Sequence, residues 1–87
     1  MAKKYEMPTY VPGKLQVKFK DGVSEARMNE VHRQIGTVVE NVLTIGKHKV
    51  YFLRIISLIS VEYIVEEYKK LPEVEYAEPI PMRYLIK

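Results

Sequence analysis

The sequence predicts an α+β domain whose four strands and two helices follow the order β-α-β-β-α-β. Three observations support this prediction. The apolar residues of one early segment alternate with polar ones, two later segments have helical spacing and each follows a serine, and the other apolar runs are rich in β-branched residues. A chain of 87 residues has room for one small domain, which buries ~60–65% of the surface that its unfolded chain exposes.

The first strand is centred on Leu15, Val17 and Phe19, which alternate with polar residues so that one face is buried and the other is solvated. The residues before it have no clear period and contain prolines, which predicts an irregular arm over residues 1–12. We therefore expect the folded domain at residues 13–79 and a separate tail at residues 80–87.

The first helix is predicted for residues 25–34. Ser24 is placed to accept a hydrogen bond at the helix N-terminus, and Gly36 suits the left-handed conformation that ends a helix. The apolar side of the helix consists of Met28, Val31 and Ile35.

Two strands follow the first helix. Residues 37–43 are rich in β-branched side chains but include Glu40 and Asn41, which favours an edge strand. Residues 48–56 are apolar on both faces except at Arg54, which favours a central strand.

The second helix is predicted for residues 61–70, after an unusually apolar loop over residues 56–60 in which Ser60 is the N-cap. Pro72 ends this helix, and residues 74–77 form the fourth strand. The side chains that the helix should bury are Ile64, Val65, Tyr68 and Leu71.

Two interleaved β-α-β units with right-handed crossovers give an antiparallel sheet of order 4-1-3-2 with both helices on one face, which is the ferredoxin-like plait. The opposite face of the sheet is then left bare. The side chains predicted to make contacts from this face are Val50, Phe52 and Ile56.

The C-terminal segment is predicted to leave the sheet. Pro79 and Pro81 lack N–H donors and fix φ, so the chain can neither continue in a central strand nor turn into a helix. Large apolar side chains follow, so we expect an extended tail that contacts something outside the chain. The tail residues are Met82, Arg83, Tyr84, Leu85, Ile86 and Lys87.

Motifs for catalysis or ligand binding are poor. His32 and His48 have no carboxylate partner at a metal-ligand spacing, which predicts that both are surface residues and that the chain binds no metal. The serines lie at caps or in a loop without a Gly-x-Ser-x-Gly elbow, and the four glycines form no phosphate-binding loop. We therefore predict that the protein is not an enzyme and takes no cofactor.

The net charge of +3 comes from fourteen basic and eleven acidic residues spread along the chain, which is typical of solvated surface. Of Tyr51 and Phe52, one is needed for the core, so the paired aromatics of an RNA-binding plait are lacking and no nucleic-acid partner is expected. No apolar run approaches the ~18–20 residues of a membrane span, so no membrane partner is expected. Without a signal peptide, we expect a cytoplasmic protein if the chain is native and an extracellular one if it is excised from a secreted precursor.

Four segments, at residues 10–20, 36–40, 50–54 and 71–79, resemble the N-terminal propeptides of subtilisin-like serine proteases. The opening YVPGKLQVKFK and the closing LPEVEYAEP frame the plait at the spacing of that family. The sequence differs from the family in its apolar loop before the second helix and in the Pro-Ile-Pro run after Glu78.

The resemblance implies a function as well as a fold. Members lay the bare face of the sheet on two surface helices of the protease and send the tail through the active-site cleft like a substrate. By this similarity, Ile86 or Lys87 lies just before the scissile position. Met82 or Arg83 then fills an apolar pocket of the cleft, and Met82 suits that pocket better.

The resemblance also places Glu75 and Glu78 against the N-termini of protease helices, where anions are favoured; the alternative is that both lie exposed on an edge strand. The predicted function is that of an intramolecular chaperone and active-site-directed inhibitor of a subtilisin-like serine protease. The alternative from another class is an interaction module that forms homo-oligomers through the bare face of the sheet.

Overall fold

The computed structural model describes residues 10–81, and these contain the predicted elements in the predicted order. Residues 1–9 of the predicted arm and residues 82–87 of the predicted tail lie outside the described residues. The bounds are β1 Tyr10–Phe19, α1 Glu25–Ile35, β2 Thr37–Ile45, β3 His48–Ile55, α2 Val61–Lys69 and β4 Val74–Pro81.

The strands form one sheet in the order β2-β3-β1-β4, and every neighbouring pair is antiparallel. At the centre of the sheet, Val17 lies opposite Tyr51 of β3 and Ala77 of β4. The predicted ferredoxin-like plait is therefore confirmed, with β1 and β3 in the middle and β2 and β4 at the edges.

The core lies between the sheet and the helices. Its fully enclosed strand residues include Leu15 and Val17 of β1 and Leu53 of β3. Helix α1 buries only Val31 and His32. Helix α2 buries twice as many side chains, which are Val61, Ile64, Val65 and Tyr68.

Both helices begin where the sequence predicts and end within one residue of the prediction. Ser24 Oγ accepts a hydrogen bond from the Arg27 N–H at 3.1 Å, and Ser60 Oγ accepts one from the Tyr63 N–H at 3.2 Å. Gly36 has a φ of 97°, a left-handed conformation that glycine adopts without steric cost. Helix α1 therefore ends there, and β2 begins at the next residue.

Strands β1 and β4 are longer than predicted. Tyr10 lies opposite Pro81, so residues 10–12 belong to β1 and are not an irregular arm. Strand β4 likewise continues beyond Ala77 through both of its prolines, so Ile80 and Pro81 belong to the sheet and not to the predicted tail. An edge strand tolerates proline because one side of its backbone has no ladder partner. The prolines therefore suit β4 to an edge position without ending it.

His32 is buried, and its predicted surface position is wrong. It lies four residues after Met28, so helical periodicity places it on the apolar side of α1, where it is 4% exposed. Its Nδ1 lies 2.6 Å from the Tyr68 hydroxyl, which in turn lies 2.6 Å from Thr37 Oγ1. His48 is exposed, as predicted.

Strand β2 contains a bulge at Glu40. Val39 and Asn41 lie opposite consecutive residues of β3, so one extra residue is inserted between them. The insertion puts both Val39 and Val42 on the helix side of the sheet. There they are the cross-strand neighbours of the core residues Leu53 and Tyr51 of β3. Helix α1 does not cover this side completely, and the two valines are 41% and 40% exposed.

Candidate functional site

The candidate site is the face of the sheet opposite the helices, which we call the open face. Because side chains alternate along a strand, the neighbours of the core residues Leu15, Val17 and Tyr51 point to this face. The three strands β1, β3 and β4 thus present Lys14, Gln16, Lys18, Val50, Phe52, Arg54, Tyr76, Glu78 and Ile80 there.

A largely apolar concavity lies on the open face near the start of β1 and the end of β4. Phe52 is half-buried and lines, with Val11 and Ile80, a depression of about 330 Å³. Val11 and Ile80 are each 8% exposed, although neither belongs to the main core cluster. Neither was predicted as a site residue, because the prolines and the glycine beside them hide any alternation in the sequence.

An ion pair lies on the β4 side of the open face, toward the end of β1. Lys18 Nζ lies 2.7 Å from Glu75 Oε1, and the Lys18 side chain is only 11% exposed. The hydrogen bond to Glu75 raises the pKa of the Lys18 ammonium above its usual value. Glu78 is exposed and lies opposite Gln16 of β1. Of the two acids predicted to contact a protease, Glu75 therefore has a partner within the chain, whereas Glu78 faces solvent.

Glu40 forms a second charged group on the β2 side. Its carboxylate lies 2.9 Å from Lys14 Nζ and 2.9 Å from Arg54 Nε. The hydrogen bond from Lys14, reinforced by the one from Arg54, lowers the pKa of the Glu40 carboxyl. The bulge brings Glu40 to this position, and the sequence pattern identified it only as a marker of an edge strand.

An apolar loop follows β3 at one end of the open face. Ile56, Leu58 and Ile59 are 58%, 105% and 46% exposed, and the Ile56 N–H donates to the Gly36 carbonyl at 3.1 Å. Of the three residues predicted to make contacts from the sheet, Phe52 and Val50 therefore lie on the open face, whereas Ile56 lies in this loop.

The described residues offer neither a metal-binding group nor a membrane-spanning helix. Residues 10–81 contain no group of three or more His, Cys, Asp or Glu side chains that could hold a metal ion. Within the same residues, neither helix has the length and apolar character needed to cross a membrane. The open face itself presents apolar surface bordered by ion pairs, an arrangement typical of protein–protein contacts.

A family model described as Fervidolysin N-terminal prodomain matches residues 2–79. The match includes β1, both helices, β2, β3 and most of β4. A search of curated proteins and a search of solved structures each found no match.

Proposed function

Because the chain belongs to the Fervidolysin N-terminal prodomain family, a family of subtilisin-like protease propeptides, we propose that it assists the folding of such a protease and then inhibits its active site. A propeptide role and association with a subtilisin-like protease follow from the family. The proposal adds how the chain binds: the open face docks on the protease, and residues 82–87 occupy the substrate cleft.

The observation that carries the proposal is that β4 leads from the open face to the tail. Ile80 lies on that face, and Pro81 ends β4 opposite Tyr10 of the adjacent strand. In extended form, residues 82–87 span ~20 Å, enough to pass from a docked sheet into a neighbouring cleft. An extended segment in a cleft gains main-chain hydrogen bonds, and its alternate side chains fill pockets.

In this arrangement the tail binds as a substrate does. Met82 or Arg83 fills an apolar pocket of the cleft, with Met82 the better fit, and Ile86 or Lys87 lies just before the scissile position. Because the folded domain holds one end of the tail, less ordering entropy is lost on binding than for a free peptide.

The open face supplies the docking surface. The concavity around Phe52 provides an apolar centre, and a standard interface of ~1,600 Å² would cover it together with its charged border. Glu78 is exposed, so its carboxylate can accept N–H groups at a helix N-terminus of the protease, where anions are favoured. Glu75 would first have to exchange Lys18 for such a contact, so Glu78 is the stronger candidate.

The inhibitor role is tested with a subtilisin-type protease, the purified chain and a variant that ends at Pro81. We expect competitive inhibition by the intact chain and inhibition at least ~100-fold weaker by the shortened variant, which lacks the cleft-binding segment. Circular dichroism checks that both are folded. No inhibition by the intact chain would contradict the inhibitor role, and equal inhibition by both would contradict the role of the tail.

The chaperone role is tested separately by refolding denatured mature protease with and without the chain. We expect a higher yield of active protease with the chain present, measured after the chain has been removed. The shortened variant should retain this effect, because it keeps the whole open face. An unchanged yield with the intact chain would count against the chaperone role alone.

The apolar concavity around Phe52 also fits the alternative function, a module that self-associates through the open face. A chain that fails to inhibit, yet self-associates in a manner abolished by Phe52→Asp, would replace the proposal with this alternative.

A further inference from the structure

Among residues 10–81, strand β2 has no neighbour on its outer side, and this edge of the sheet is apolar on both faces. Val39 and Val42, on the helix side, are 41% and 40% exposed, and Leu43 and Ile45, on the open-face side, are 46% and 61% exposed. Residues 41–45 contain neither a charge nor a proline. Edge strands normally carry such residues to prevent pairing with another strand, so this edge is available for pairing.

The hairpin between β2 and β3 determines which backbone groups point to the free edge. Its two-residue turn begins with Gly46 at a φ of 62°, as a type II′ turn requires. The residues that flank such a turn form a hydrogen-bonded pair, so alternation directs the N–H and C=O groups of Val42 and Thr44 away from β3. The Val42 N–H agrees with this assignment, because it donates to Asn41 Oδ1 at 2.9 Å.

We propose that β2 pairs in antiparallel fashion with β2 of a second copy of the chain, about a two-fold axis at Leu43. In this register Val42 of each copy exchanges backbone hydrogen bonds with Thr44 of the other, and the Val42 N–H gives up its exposed contact with Asn41 Oδ1 to do so. The two Leu43 side chains meet across the axis as a close cross-strand pair. Two sheets of four strands thereby become one sheet of eight.

Charge favours a second copy as the partner. When residue 43 lies opposite itself, the Glu40 end of one strand lies beside the Lys47 turn of the other, although the Glu40 carboxylate also contacts Lys14 and Arg54 of its own chain. Residues 41–45 are uncharged, so the symmetric pairing places no like charges opposite each other at its centre. The interface is isologous, as in most homodimers.

This dimer is independent of the proposed protease contact. A two-fold axis perpendicular to the sheet leaves both open faces on the same side and puts both β4 strands at the outer edges. Pairing through β2 therefore leaves the open face and the tail free. The paired segment is short and buries less than a standard interface of ~1,600 Å², so we expect a dissociation constant of ~10–100 µM.

The test is sedimentation velocity of the full 87-residue chain from about 5 µM to about 500 µM, a range that brackets the expected dissociation constant. Leu43→Lys should raise that constant at least ~30-fold, because the substitution occurs twice in the dimer and puts two cations together. Leu58→Lys is the matched control, since it makes the same change at a fully exposed leucine of the loop after β3, and it should alter the constant by less than ~2-fold.

Mixing the Leu43→Lys and Leu43→Asp variants tests the position of the axis. Each variant alone should dimerise far more weakly than the unmodified chain. The mixture should form heterodimers, because the ammonium and the carboxylate introduced at residue 43 then lie opposite each other across the axis. Circular dichroism checks that each variant is folded. A chain that stays monomeric throughout the range, or a dimer that Leu43→Lys leaves intact, overturns the proposal. Dimers abolished by Phe52→Asp and not by Leu43→Lys would assign association to the open face instead.

Discussion

The two edge strands of the sheet differ in how they are covered. Strand β4 lies against α2, whose residue Tyr68 is fully enclosed, and Pro79 and Pro81 limit further pairing at its outer end. Strand β2 lies against α1, which leaves Val42 exposed on the helix side. On the open-face side of the same strand, Leu43 is exposed as well.

This difference indicates a division of roles within one small domain. The half formed by α2, β1 and β4 contains most of the buried apolar side chains and should account for most of the stability. Strand β2 contributes backbone pairing with little side-chain burial, which leaves its apolar residues available for contacts with other molecules.

The largest expected effect comes from a substitution that creates a cavity beneath α2. Ile64 is 1% exposed, so Ile64→Ala should lower the free energy of unfolding by ~2–5 kcal/mol. The matched change on the β2 side, Val42→Ala, should cost ~0.5 kcal/mol or less, because little area is lost. Urea denaturation at low micromolar concentration, below the expected dissociation constant of the dimer, measures both. Equal losses would show that the two halves are packed alike.

A smaller effect should appear on acidification, and it concerns α1. Burial lowers the pKa of His32 from 6.5 to about 4, so between these values the unfolded chain binds a proton that the folded chain does not. His32 therefore does not reduce the free energy of unfolding above about pH 6.5. As the pH decreases towards 4, its burial lowers that free energy by up to ~3 kcal/mol.

The matched variants for this pH dependence are His32→Gln and His48→Gln, the second at an exposed position of β3. Urea denaturation at several pH values should show a weaker dependence between pH 4 and 6.5 for His32→Gln and an unchanged one for His48→Gln. The same dependence in all three proteins would show that His32 does not cause it.

Much of the fold could be predicted from local patterns. The alternation at Leu15 to Phe19, the caps at Ser24 and Ser60 and the glycine at Gly36 are short-range signals, and the structure confirms each of them. The burial of His32 follows from helical periodicity, because it lies four residues after Met28. The polarity of its ring nevertheless favoured a surface position in the sequence-based prediction.

The site was less predictable because it depends on contacts between distant strands. The bulge that brings Glu40 to Lys14 arises from the register of β2 on β3, which no short pattern encodes. Val11 and Ile80 meet only because β1 and β4 continue past the glycine and the prolines in their sequences. The roles of residues 82–87 in a protease cleft stay a prediction.

The contrast between the two faces of the domain gives the most direct test of docking through the open face. Inhibition constants for a subtilisin-type protease are compared for the intact chain, Phe52→Asp and Tyr63→Asp. Phe52→Asp places a carboxylate in the apolar centre and should weaken inhibition at least ~30-fold. Tyr63→Asp makes the same kind of change on α2, at a residue that is 54% exposed, and should change inhibition by less than ~3-fold. Equal inhibition by all three proteins would contradict docking through the open face.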